Sequence, residues 1–408
     1  MAESASRPSS SAARWFAVSV FCLSSAWNYL DRLVLSAAGP RVKAEFHLSN
    51  TDFGFLLSAF GLAYALAAPA MGWLLDRLGL ELGIILSVAL WSFSSAICGV
   101  SRNFTELVGG RILLGIGESA GVPAAGKLNS IYLEPKNLAT GAAFTQVGIA
   151  LAGVMAPLLV AIFTGWRSPF FVCAALGLAW IPVWVLVRRT VRPWQEVAPQ
   201  NKRGGLDLLR DPRLLTLAFA NVLWMIGYTF WTNWITIYYV QTYQLTTAQA
   251  SGFVWVPPIA SMLGGFAGGW LSSHAIKRGM PAAQARAWAT LISAFGCLIT
   301  ILAPFAATPL IALVPISLSY FAILGGSVNI YAIPLDLWGG ERAGIAIAAL
   351  GCAYGLLQTV VSPVIGWLVD HFGFAPVCWM VALGPALAYL LVKRSVAAPA
   401  VREPALVK

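Results

Sequence analysis

Two acids and two bases stand inside stretches of this chain that are otherwise apolar. Asp31 and Arg32 are neighbours in NYLDRLVLS, and Arg111 precedes Glu118 in GRILLGIGES. Ionisable groups in such surroundings are costly to bury and are functional candidates by default. A carboxylate against an apolar wall favours its protonated form, whereas a nearby guanidinium favours the ionised one. The guanidinium is also a planar fork for an external carboxylate or other anion. Acid and base together can therefore exchange partners. If an anion captures Arg32, Glu118 loses its counter-charge and favours a proton, so anion binding and proton uptake support each other.

Spacing decides which groups can meet. The apolar run at 14–38 reads as one helix and that at 104–127 as another, running in opposite directions. At 1.5 Å per residue, Asp31 and Arg32 lie roughly 10–13 Å below the far end of the first run, and Arg111 lies at a similar depth. Glu118 follows on nearly the same helix face, about 10 Å deeper. Asp31 and Arg32 point about 100° apart, so they serve different neighbours. The expectation is that Asp31 pairs with Arg111 while Arg32 reaches Glu118 or a bound anion, with Tyr29 beneath it. The competing reading is two static salt bridges. Buried pairs add little net stability and are often replaceable by apolar residues, so a working role is preferred.

The whole chain supplies the helices that would carry these groups. It has 408 residues, 59% of them hydrophobic and only 10% charged, with a mean hydropathy of +0.76. Soluble domains carry about 25% charged residues. Twelve apolar spans can be drawn, near 14–38, 52–75, 81–100, 104–127, 137–163, 168–189, 213–241, 249–275, 284–306, 309–334, 341–368 and 373–393. The resulting expectation is an all-α integral membrane protein with two six-helix bundles at 14–190 and 213–395. A cytoplasmic linker at 191–212 joins them, a disordered cytoplasmic tail occupies 1–13, and a second cytoplasmic tail occupies 396–408. The first run is too long for the core of a cleaved signal peptide. The linker region is rich in base (Arg188, Arg189, Arg192, Lys202, Arg203, Arg210, Arg213). Placing it in the cytoplasm leaves only Arg41, Lys43, Arg102 and Arg167 facing outward, with Arg32, Arg111 and Lys127 within or at the end of spans. That asymmetry puts both termini inside the cell.

Other classes find little support. The net charge of +10 resides in those loops and leaves no basic face for nucleic acid. Cys22, Cys98, Cys173, Cys297, Cys352 and Cys378 lie in apolar spans without a CxxC pair and read as packing residues. His47, His274 and His371 form no metal-ligand pattern. No phosphate-binding GxxxxGK[ST] occurs. A channel gives no reason for paired acids and bases on two helices. A membrane enzyme or sensor would need a nucleophile–base or metal constellation in the spans, and none is present.

The halves show some likeness. APLLVAIFTGWRSPFFVCAALGLAW and SPVIGWLVDHFGFAPVCWMVALGPALAY align Pro157 with Pro363. Two related halves around a central cavity is the plan of a rocking transporter. Here the chain also becomes similar to a known family. NYLDRLVLS resembles the N-Y-x-D-R-x-x-x-S of the anion:cation symporter family within the major facilitator superfamily. GRILLGIGESAGVPAAGKLNSIYLEP resembles that family's G-R-x-x-L-G-x-G-E-x-x-x-x-P. FVWVPPIASMLGGFAGGWLSSHAIKRG and YAIPLDLWGGERAG resemble its hexuronate and galactonate branch, which is related to the vesicular glutamate and sialic acid transporters. GWLLDRLGLEL keeps Gly72, Asp76, Arg77 and Gly79 of the superfamily's loop motif. Leu80 and Glu81 stand where a basic pair is usual, which weakens the expected charge contact between halves.

The resemblance implies a proton-coupled symporter of sugar acids such as hexuronates, hexonates or aldarates. It implies that Arg32 contacts the substrate carboxylate, that Asp31 and Glu118 couple the proton, and that Tyr29, Tyr64 and Gln146 hydrogen-bond the substrate. The residues themselves suit a polyol acid, which needs one cation and many neutral donors and acceptors. Asn28, Tyr29, Tyr64, Gln146, Asn233, Ser327, Asn329 and Gln358 supply these within spans, and Trp231 and Trp234 could stack on a sugar face. Each polar residue could equally bond a neighbouring helix, and each Trp could simply pack or anchor. The expectation is a monomeric multi-pass protein of the cell membrane, of bacterial inner-membrane type, needing no cofactor beyond protons. Its partners would be a small organic anion, protons and lipid. A monocarboxylate or aromatic-acid symporter is the alternative.

Overall fold

The structure, a computed structural model, describes residues 9–134, 137–194 and 206–397, and among these residues no strand occurs. The helices are α1 (Ser11–Phe46), α2 (Asn50–Val100), α3 (Phe104–Glu118), α4 (Gly121–Tyr132), α5 (Leu138–Ile162) and α6 (Arg167–Thr190). They are followed by α7 (Pro212–Tyr243), α8 (Thr247–Val254), α9 (Val256–Lys277), α10 (Ala282–Cys297), α11 (Pro309–Phe372) and α12 (Ala375–Ala397). Apolar segments in lipid must satisfy their own backbone polar groups, which an α-helix does. Polar caps set several starts: Ser49 with Asp52 and Thr246 with Gln249 form capping boxes, and Asn103, Asp211 and Thr308 cap singly. Eight segments among the described residues, from Asn50–Val100 to Ala375–Ala397, are long and apolar enough to cross a membrane.

Helix boundaries depart from the expected spans for local reasons. The spans near 52–75 and 81–100 lie in α2, bent at Gly79 (φ 79°); those near 309–334 and 341–368 lie in α11, bent at Gly339 (φ 70°). Glycine adopts positive φ without a Cβ penalty. The expected helix at 104–127 is broken between α3 and α4, because Pro123 has no N–H for the Ser119 carbonyl and its ring crowds that group. Pro257 and Pro258 break the span at 249–275 at Trp255 in the same way. The span at 284–306 ends as a 3-10 helix, Leu298–Phe305. The tails at 1–13 and 396–408 fall mostly outside the described residues, and α1 already begins at Ser11. Residues 195–205 of the linker also lie outside them.

The Ser9 N–H donates to the Arg192 carbonyl at 3.4 Å, and Ser395 Oγ donates to the Arg213 carbonyl at 3.0 Å. The start of α1, the end of α6, the start of α7 and the end of α12 thus share one face, here the terminal face. On it Asp207, in the 3-10 turn before α7, pairs with Arg342 at 2.5 Å. Helix α1 packs on α5 and α6, and α2 on α3 and α6; α11 packs on α7, α9 and α10, and α12 on α7 and α10.

The helices preceding and following residue 200 meet mainly near the face opposite the termini. A Cβ on Gly54 would stand 2.5 Å from the Ser362 carbonyl oxygen, and one on Gly366 would stand 2.3 Å from that of Asn50. Ser58 Oγ donates to the Thr359 carbonyl, and Ser36 Oγ donates to Asn233 Oδ1 at 2.9 Å. Asp370 accepts from the Asn50 N–H (3.0 Å), the Thr51 N–H (2.8 Å) and the Thr51 hydroxyl (2.7 Å). It therefore caps the first turn of α2 from the end of α11. Toward the terminal face, Gly72, Gly344 and Gly351 have no such neighbour within 4 Å. The two sets of helices are sealed at one face and diverge toward the other. The same octapeptide pattern stands at both ends of this seam, GWLLDRLG at 72–79 and GWLVDHFG at 366–373, each closing on a positive-φ glycine.

Candidate functional site

Below the seal, α3 approaches α2 closely because glycine lines the contact. A Cβ on Gly115 would stand 2.6 Å from the Phe60 carbonyl oxygen, and one on Gly117 would stand 2.8 Å from the Trp91 backbone nitrogen. Only side-chain-free positions allow this approach. It brings Phe60 and Tyr64 beside Arg32. The guanidinium carbon of Arg32 lies 4.6 Å from the Tyr29 ring centre, 5.1 Å from Phe60 and 4.5 Å from Tyr64. Cation–π contact of this kind is attractive and strongest when water is excluded.

Arg32 Nε donates to Glu118 Oε2 at 2.5 Å, and Nη2 donates to Asn28 Oδ1 at 3.1 Å. The Asn28 amide nitrogen in turn donates to the Glu118 backbone carbonyl at 3.5 Å. That carbonyl ends α3, so the Pro123 break exposes an acceptor that Asn28 satisfies. Glu118 is fully buried, yet its Oε1 makes no hydrogen bond among the described residues. Arg32 keeps 19% side-chain exposure, and its Nη1 makes no hydrogen bond among the described residues. One carboxylate oxygen is thus free for a proton, and one guanidinium edge is free for an anion.

Asp31 and Arg111 do not form the expected ion pair: among the described residues no charged contact within 4.0 Å joins them. Asp31 is fully buried and accepts from Ser95 Oγ at 2.5 Å, with Oδ2 unbonded. Its one-residue offset from Arg32 turns it away, toward α2 and α6. Arg111 lies over the same aromatic residue that Arg32 uses, 4.6 Å from the Phe60 ring centre. Phe60 contacts both cations, which the depth estimate could not anticipate.

The second-half candidates divide by helix face. Trp231 is 1% exposed and donates its indole N–H to Ser319 Oγ at 3.0 Å. Trp234 meets Phe53 edge-on at 5.6 Å. Asn233 bonds the Thr229 carbonyl of its own helix (3.1 Å) as well as Ser36. Ser327 donates to Met225 Sδ at 3.7 Å. Asn329 donates to the Gly268 and Gly325 carbonyls at 3.0 and 2.9 Å. Among the described residues none of these makes a hydrogen bond or ring contact with Arg32. They join helices to one another, as buried polar groups and indoles commonly do. Gln358 is half-buried on α11, and the side chain of Gln146 lies outside the described residues.

What faces Arg32 from α7 is tyrosine. Tyr228 interacts electrostatically with Arg32, and Tyr29 with both Tyr228 and Tyr64. Tyr228 packs on Tyr320 at 5.7 Å and Tyr354 at 6.2 Å. Sequence reading missed this wall, though its spacing was available. Asn221, Tyr228 and Thr232 fall within about 40° on α7, whereas Trp231 and Trp234 lie about 60–120° round from Tyr228.

The loop motif is placed at the terminal face. Asp76 is exposed and pairs with Lys127 at 2.9 Å; Arg77 lies 5.2 Å from the Trp73 ring centre. Gly72 is open, and Gly79 makes the bend. Glu81 pairs with Arg188 at the end of α6, 2.5 Å away, within the first set of helices.

Comparison with known proteins agrees with this architecture. The family model described as Major Facilitator Superfamily matches residues 21–356. The chain is 22% identical over 401 residues to the hexuronate transporter of Escherichia coli (strain K12), covering 93% of each. It is 28% identical over 403 residues to the probable L-galactonate transporter of the same strain, covering 90% of this chain and 86% of the relative. A bacterial homologue of the human lysosomal transporter Spinster, solved in an inward-facing and occupied conformation, superposes with a TM-score of 0.75 at 18% identity, covering 95% of this chain and 96% of that one. With the family model spanning most of the chain and a helical fold carrying a buried ion pair between its helices, the chain belongs to the Major Facilitator Superfamily and is a multi-pass membrane transporter.

Proposed function

We propose that the chain moves a sugar acid across the membrane together with protons, by alternating access. The observation that carries this reading is the Arg32–Glu118 pair, in which a cation with one free edge is held by a buried acid with one free oxygen. An incoming carboxylate competes with Glu118 for the guanidinium, and the released Glu118 favours a proton. Binding of the anion and of the proton then reinforce each other, as thermodynamic linkage requires. Asp31, Arg111, Tyr29 and Tyr64 support the pair, and Asp31 is the second acid in the coupling. The names of the sugar-acid relatives and the resemblance of both charged motifs favour a hexuronate, hexonate or aldarate.

The same proposal takes twelve spans in two bundles, 14–190 and 213–395, with both termini and the linker in the cytoplasm of a bacterial cell. The terminal face is then the inner one and the sealed face the outer one. Uptake into proteoliposomes under an imposed proton gradient tests the mechanism. Glu118→Gln should abolish proton-driven accumulation of D-glucuronate while preserving exchange; unchanged accumulation by that variant refutes the coupling role.

A second reading rests on the rings of Tyr29, Phe60 and Tyr64 around Arg32. Such a box also suits a flat, unhydroxylated carboxylate. Thermal-shift titration of the purified protein separates the two, since stabilisation by benzoates alone overturns the sugar-acid reading.

A further inference from the structure

We propose that Tyr228 is a specificity-determining residue, whose hydroxyl binds substrate hydroxyls on the side opposite the Arg32-bound carboxylate. The inference rests on the sugar-acid reading of this site. On α7, Tyr228 and Thr232 stand one turn apart on the same face. The Thr232 hydroxyl and the Tyr320 hydroxyl share a hydrogen bond at 2.5 Å, and the Tyr228 ring packs on Tyr320 with its hydroxyl close to both residues. Each hydroxyl can donate once and accept twice, so this group of three hydroxyls retains capacity for a ligand.

The wall is held in place from behind. Trp224, one turn earlier, donates its indole N–H to the Ile323 carbonyl at 2.8 Å. It fills the space left by Gly326, where a Cβ would stand 1.9 Å from the ring. Gly227 allows Ile323 and Val381 to close on α7, at 2.7 and 3.0 Å from a Cβ placed there. These contacts fix the rotation of α7, so Tyr228 is presented to Arg32 while Trp231 is directed into the core. Tyr228 and Tyr354 both remain half-buried, whereas Tyr320 behind them is 5% exposed. Asn233 of α7 and Ser327 and Asn329 of α11 are committed to other helices, which leaves Tyr228 and Thr232 of α7, with Tyr320 and Tyr354 of α11, as the hydroxyl groups on this side. One cation opposite phenols fits a monocarboxylate bearing hydroxyls better than an aldarate, whose second carboxylate would meet no positive partner there.

Binding of D-glucuronate and of benzoate to the purified full chain, measured by calorimetry, tests this. Tyr228→Phe keeps the ring and removes the hydroxyl. It should weaken D-glucuronate by about 3- to 10-fold and change benzoate by less than about twofold. Trp231→Phe, in the core, should leave the discrimination between the two unchanged. A melting temperature near that of the wild type establishes that the variants fold. Wild-type binding of D-glucuronate with no loss in Tyr228→Phe overturns the inference alone. Wild-type binding of benzoate without D-glucuronate overturns the sugar-acid reading and the inference with it.

Discussion

Asp370 should act as a latch on the sealed face, and its neutralisation should open that face. Its carboxylate accepts two backbone N–H groups and one hydroxyl from the first turn of α2, at 2.7–3.0 Å. The helix N-terminus carries partial positive charge, so an anion there is favoured by about 0.3–1 kcal/mol. Hydrogen bonds to charged groups contribute about 1.5–3 kcal/mol each when well shielded. Asp370 is exposed to solvent, which reduces both effects, and an amide still accepts one or two of the bonds. Asp370→Asn should therefore cost the closed state about 0.5–2 kcal/mol, or roughly 2- to 30-fold in the closed-to-open ratio. Spin labels at Arg102→Cys and Ala307→Cys, both on the sealed face, would report the separation in a background with the exposed Cys352 replaced by serine. The longer distance should gain population by that ratio in Asp370→Asn. An unchanged distribution would refute the latch, and a general broadening with a lowered melting temperature would show unfolding instead of opening.

Other variants probe the parts that hold the site together. Gly115→Ala forces a methyl against the Phe60 carbonyl, at 2.6 Å, and should destabilise the protein by about 1–3 kcal/mol, visible in thermal denaturation. Ser95→Ala removes the hydroxyl that bonds buried Asp31 and should lower the melting temperature by the equivalent of about 1–3 kcal/mol. Glu81→Gln breaks a half-exposed pair with Arg188 and should change stability by no more than about 1 kcal/mol. Trp231→Phe loses one buried hydrogen bond to Ser319 and should reduce stability by about 1 kcal/mol while leaving the transport KM within about twofold. A larger KM change would place Trp231 at the substrate.

Much of the first half of the site was legible in the amino-acid order. Charges in an apolar helix are so costly that their mere presence marks them, and 3.6-residue periodicity brought Arg32 and Glu118 to compatible faces. The glycines of GRILLGIGES announced close helix contact, and Gly115 and Gly117 are where α2 and α3 touch. The failures lie where a second helix decides orientation. Asp31 found Ser95 instead of Arg111, because its direction depends on where α2 and α6 stand. Trp231 and Asn233 looked suited to a sugar, yet with Trp224 lodged beside Gly326 they bond Ser319, Ser36 and Thr229, and Tyr228 is the α7 side chain within electrostatic range of Arg32.

The sequence by itself determined that this chain is helical and membrane-bound, and that acids and guanidinium groups stand inside its apolar spans. Those properties follow from local costs: unsatisfied backbone in lipid, charge in an apolar phase, and proline inside a helix. Only the tertiary structure decided which partners the charges take, which face of α7 lines the space, and which end of the seam is closed. The role of Asp370 shows the reason. Near the end of an apolar span it is merely an acid by a turn, and it becomes a cap only because the first turn of α2, some 320 residues away in sequence, arrives beneath it.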